Sequence, residues 1–72
     1  MSKDTEIKKQ IQTLLTEAKI YSSQGLLEEA ISYYQNAAEL VENNDGLKNK
    51  KNLLHGISKK IRELRGDIDK LE

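Results

Sequence analysis

The sequence predicts an all-α fold, an antiparallel three-helix bundle. Three observations lead there. Apolar residues recur at steps of three and four along three separate segments, the spacing of one stripe on an α-helix. There is no proline, and Ala, Leu, Ile, Glu, Lys and Gln dominate, a composition that suits helices. Two turn signals, Ser22–Gly25 and Asn43–Gly46, separate the segments.

The first helix is expected over about residues 4–24. Asp4 or Thr5 is the natural cap, and Ile7, Ile11, Leu14, Leu15, Ala18 and Tyr21 form its stripe. Gly25 suits the left-handed residue that follows a helix. The second helix is expected over about 27–43, with Leu27, Ala30, Ile31, Tyr34, Ala37, Ala38 and Val41 inward. Glu28 and Glu29 fall in its first turn, where carboxylates suit the helix dipole.

The third helix is expected over about 47–71, with a seam of Leu47, Leu54, Ile57, Ile61, Leu64, Ile68 and Leu71 that only Lys50 interrupts. Such a seam suits a bundle or a coiled coil. Gly56 and Gly66 lie off the seam and mark a bend or an early end. The connections are short, so consecutive helices run antiparallel. At about 1.5 Å per residue the third helix outruns the first, and its end, with Ile68 and Leu71, is expected to project.

The chain is 72 residues long and is expected to form a single domain over residues 1–72. A chain of this size buries only about 60% of its unfolded surface. It has no cysteine and one histidine, so neither disulfide nor structural zinc staples it. Packing must hold the fold. The polar start, MSKDTEIKK, has no apolar core of a secretory signal. No apolar run approaches the roughly 20 residues of a membrane span. A cytoplasmic protein, or a domain of a larger one, is expected.

Net charge is zero but unevenly spread. Residues 1–46 carry four basic and eight acidic side chains, a balance of −4, and residues 47–72 carry eight and four, a balance of +4. Lys48, Lys51, His55, Lys59 and Arg62 follow helical steps and form a basic stripe on the third helix.

Little in the chain suggests catalysis. Ser22 and Ser23 have no base at a recognisable spacing and read as turn residues. Glu28 and Glu29 are adjacent and point apart on a helix. His55 reads as a surface residue, and Gly25 and Gly46 are too isolated to form a phosphate loop. Arg65–Gly66–Asp67 spells an integrin-type tripeptide, but inside an expected helix. No enzyme activity, cofactor or metal is expected.

From Ala18 onward, small and aromatic residues are spaced in a pattern: Ala18, Tyr21, Gly25, Ala30, Tyr34 and Ala37, preceded by Leu14. This resembles the tetratricopeptide repeat, a helix–turn–helix unit of about 34 residues. The match covers residues 11–44. Glu17 stands where that family has a large apolar residue, and Glu42 where it has proline. One repeat length further on, Asn52, His55, Lys59, Leu64, Ile68 and Leu71 fill the slots, so no second repeat follows. A lone repeat cannot bury its own face, and the third helix is expected to act as its lid. The hairpin with a long third helix also resembles the MIT domain, a three-helix bundle of similar size. That resemblance implies binding of short helical tails of other proteins in grooves between helices.

The function expected is therefore a non-catalytic docking or scaffold module for another protein. Its partner surface is expected on the third helix, at Lys48, Lys51, Lys59, Arg62, Ile68 and Leu71. One groove, between the second and third helices, would be walled by Glu39 and Glu42. Self-association through the third helix is the nearest rival. Nucleic-acid binding through the basic stripe is the alternative in another class, weakened by zero net charge and by tyrosines confined to the hairpin.

Overall fold

The computed structural model describes residues 3–71 and the side-chain surroundings of residues 5–71. The chain forms three helices: α1 (Lys3–Ser23), α2 (Leu27–Glu42) and α3 (Lys50–Leu71). They build the expected antiparallel three-helix bundle. The helix begins at Lys3, so Thr5 lies within its first turn and not before it; the expected cap at Asp4 lies outside the described side chains.

α2 is the middle of the structure. α1 and α3 each pack along it, and they approach one another only weakly. The core contains Ile11 and Ala18 from α1, and Ala30, Ile31, Tyr34, Ala37 and Val41 from α2. Leu47, Ile57 and Leu64 complete it. Ala18, Ala30 and Ala37 are wholly buried, as close packing of α1 on α2 requires. No polar or charged residue is buried among those described, so apolar packing carries the fold.

The α1–α2 turn shows why glycine stands at position 25. Gly25 has φ of +80°, a left-handed conformation that glycine adopts without strain. Its N–H donates to the Ser22 carbonyl (3.1 Å), and the Leu26 N–H donates to the Tyr21 carbonyl (2.9 Å). These two bonds are the Schellman pattern. Nearby, the rings of Tyr21 and Tyr33 stack, with centroids 5.1 Å apart and planes 11° from parallel.

The α2–α3 connection is longer than the sequence suggested. α3 begins at Lys50, not Leu47, and the turn runs through Asn49, which has φ of +63°. Asparagine tolerates that region better than most residues. Leu47 therefore enters the core from the turn and not from a helical seam.

Lys50, the apparent break in the seam, ties this turn together. Its ammonium donates to the Glu42 carbonyl (2.8 Å) and pairs with the Asp45 carboxylate (2.7 Å). The Asn44 side-chain amide donates to the Leu40 carbonyl (2.7 Å). Together these contacts satisfy carbonyls that the end of α2 would otherwise leave unpaired. The Lys50 ammonium also holds the Asp45 carboxyl below its ordinary range, by hydrogen bonding first and charge second.

Two further expectations about α3 are corrected. The helix runs unbroken through Gly56 and Gly66, so neither ends it. As far as Ile68, its end does not project free of the bundle. The three residues used in the turn shorten it, Ile68 packs half-buried against the core, and Leu71 reaches the α1–α2 corner beside Leu26 and Leu27. Leu71 itself remains 79% exposed.

Candidate interaction surface

Weak approach of α1 to α3 leaves a groove between them. α2 supplies its floor through Tyr34, which is only 3% exposed. The middle section, about 210 Å3, is lined by Leu15 and Lys19 of α1 and by Asn52, Leu53, Gly56, Ile57 and Lys60 of α3. Its walls are almost wholly apolar.

The groove continues in both directions, because the adjoining hollows share these walls. Toward the start of α1 it passes Leu15 and Leu53 to Lys8, Ile11, Leu47 and Lys48. Toward the end of α1 it passes Lys19, Tyr34 and Lys60 to Ser22, Ser23, Glu63 and Asp67, and becomes polar.

Helical geometry explains the assignment of side chains. Adjacent residues on a helix point about 100° apart, so each doubled leucine splits. Leu15 and Leu53 turn to the groove, while Leu14 and Leu54 pack half-buried against the core. Lys8, Leu15 and Lys19 follow steps of seven and four on α1. Leu53, Gly56 and Lys60 follow steps of three and four on α3. A Cβ built on Gly56 would meet nothing within 4 Å, so the groove is open at that point.

The doubled tyrosines split in the same way. Tyr34 floors the groove and Tyr33 lies on the other flank, against Tyr21. The Tyr21 hydroxyl, and after it the Glu17 carboxylate, push the Tyr33 phenol above its ordinary pKa. Tyr33 was not singled out in the sequence. The signal available was its position three residues after the buried Ala30, on the flank that faces α1.

The residues expected to bind a partner fall in three places. Lys48 stands at the groove's basic end. Lys51, Lys59 and Arg62 are exposed on the solvent face of α3, away from the groove. Ile68 and Leu71 form a separate apolar corner with Leu26 and Leu27. Of the repeat-like positions, Ala18, Ala30, Tyr34 and Ala37 are buried, Leu14 and Tyr21 are half-buried, and Gly25 makes the turn. Hollows lie between α1 and α3 and also where the start of α2 meets the end of α3; Glu39 and Glu42, the expected walls of an α2–α3 groove, line none of those described.

Compared with protein-family profiles, curated proteins and solved structures, the chain matches none. Among the described residues, no helix is long and apolar enough to cross a membrane.

Proposed function

We propose that this chain is a non-catalytic docking module that receives an apolar segment of another protein in the α1–α3 groove. One observation carries the reading: Leu15, Leu53 and Ile57 form an apolar trough over Tyr34, open to solvent beside Gly56. Grooves between helices take amphipathic segments by burying their apolar face. The resemblance of the hairpin to tetratricopeptide repeats, and of the whole to MIT domains, supports the same class of function.

A displayed peptide library tests this. Peptides with apolar residues at helical spacing should be enriched by the wild-type chain and lost with Gly56→Trp, whose side chain has open space to enter the groove. No enrichment, or equal retention by both proteins, would refute the reading.

A second reading has one observation in its favour. Lys51, Lys59 and Arg62 share an exposed face of α3, with no ion-pair partner among the described residues. Such a stripe suits nucleic-acid phosphates. Retention of generic RNA or DNA at physiological salt, abolished by neutralising these three residues, would favour it over docking.

A further inference from the structure

The groove's charge points to the kind of segment that fills it. Lys8 and Lys19 stand on the α1 rim, and Lys48 and Lys60 on the opposite side. No carboxylate lines the middle section or the section toward Lys8 and Lys48. Lys8, Lys19 and Lys48 have no ion-pair partner among the described residues, and Lys60 reaches Glu63 only at 3.8 Å. The acidic residues of the groove, Glu63 and Asp67, are confined to its other end.

A second copy of the chain does not satisfy this surface. Two-fold contact between identical grooves would set trough against trough, and neither copy would offer the other an apolar ridge to fill it. The outer face of α2 is acidic, but Glu28, Ser32, Gln35 and Glu39 are exposed and polar, so it offers no apolar ridge to the trough. An extended strand is disfavoured as well. The apolar walls offer its backbone few hydrogen-bonding partners, whereas a helix satisfies its own.

We infer that the occupant is an acidic amphipathic helix of a different protein. It lies with its apolar ridge in the trough and its carboxylates toward Lys8, Lys19, Lys48 and Lys60. Its N-terminus rests at the Glu63–Asp67 end and its C-terminus at the Lys8–Lys48 end. That direction matches the helix dipole, positive at the N-terminus and negative at the C-terminus. The bound helix thus runs parallel to α2 and antiparallel to α1 and α3, completing a four-helix arrangement. This inference rests on the docking reading above and adds the partner's charge and direction.

The test uses designed peptides of about five helical turns, about 27 Å long. One carries a leucine ridge with glutamates beside it, and a second carries the same ridge with lysines. Amide NMR shifts of the full chain report the site. The acidic peptide should shift Leu15, Leu53, Gly56 and Ile57, and should bind about tenfold or more tightly than the lysine peptide, by a margin that narrows with salt. Lys19→Glu with Lys60→Glu, verified as folded by circular dichroism, should reverse the preference. A spin label on the peptide's N-terminus should broaden Ser23 and Asp67. Equal binding of both peptides in the groove overturns the acidic partner while leaving docking intact. Broadening at Lys8 and Lys48 instead overturns the direction. Absence of any groove shift with either peptide overturns the docking reading itself.

Discussion

Ala30→Leu is the sharpest test of how α1 and α2 meet. Ala30 and Ala18 are both wholly buried, and neither lines any of the hollows described above. Leucine adds three carbons to Ala30. If space were free there, burying them would stabilise the protein by about 1.5–3 kcal/mol. Without space, overpacking forces the helices apart or the side chain off its rotamer, at a cost of about 1–3 kcal/mol. The full burial of both alanines makes the second effect win. A 72-residue domain has about 4–11 kcal/mol of stability in total, at roughly 0.05–0.15 kcal/mol per residue. The melting temperature should therefore fall by about 5–20 °C, since each kcal/mol shifts it by about 4–8 °C at this size. Thermal melts followed at the helical circular-dichroism band measure it. A melting temperature equal to or above wild type would show that α1 and α2 do not approach closely at these alanines.

Four other outcomes are expected. Lys50→Met should lose the cap on α2 and cost about 0.5–1.5 kcal/mol in denaturant melts. The Asp45 carboxyl is held below its ordinary range, so its contribution is complete above the unfolded value near 4 and disappears as pH falls through the folded one. Asp45→Asn should thus differ from wild type at neutral pH and converge with it in acid; a difference that grows in acid contradicts the Lys50 pairing. Truncation after Gly46 removes Ile57 and Leu64 and uncovers the α3 side of Tyr34 and Val41, so the remaining hairpin should lose cooperative melting. Spectrophotometric titration should show a tyrosine component ionising above the ordinary value near 10, and Tyr33→Phe should remove that component.

Much of the fold was legible because apolar spacing and turn residues record local geometry. The three helices, their order and their inward alanines follow from steps of three and four. What escaped were features set by tertiary partners. Lys50 sits at a seam position, and only the nearby end of α2 turns it from an interruption into a cap. Leu47 continues the heptad spacing, yet the left-handed Asn49 places it before the helix. The projecting end of α3 was an inference from length, and with three residues spent in the turn Ile68 packs against the core while Leu71 stays exposed. The groove escaped for another reason. Periodicity tells which face of a helix is apolar, but not that α1 and α3 both lean on α2 more than on each other. Doubled residues carried the missing signal: Leu14–Leu15, Tyr33–Tyr34 and Leu53–Leu54 each widen a stripe beyond what one neighbouring helix can cover.

Gly56 and Gly66 separate stability from binding. Both lie inside α3, and an added Cβ at either would meet nothing within 4 Å. Glycine in a helix interior costs about 0.5–1 kcal/mol relative to alanine, so either substitution by alanine should stabilise α3 by about that amount. Packing alone therefore gives no reason to distinguish them. Their surroundings do. Gly66 faces solvent, while Gly56 lies in the trough wall beside Leu53 and across from Leu15. A larger side chain at Gly56 would cover those leucines and close the space a partner needs. Gly66→Leu and Gly56→Leu should both raise the melting temperature, but only Gly56→Leu should abolish binding of an acidic amphipathic peptide. If Gly56→Leu binds that peptide as well as wild type, the trough is not the docking site, whatever the stability of the two variants.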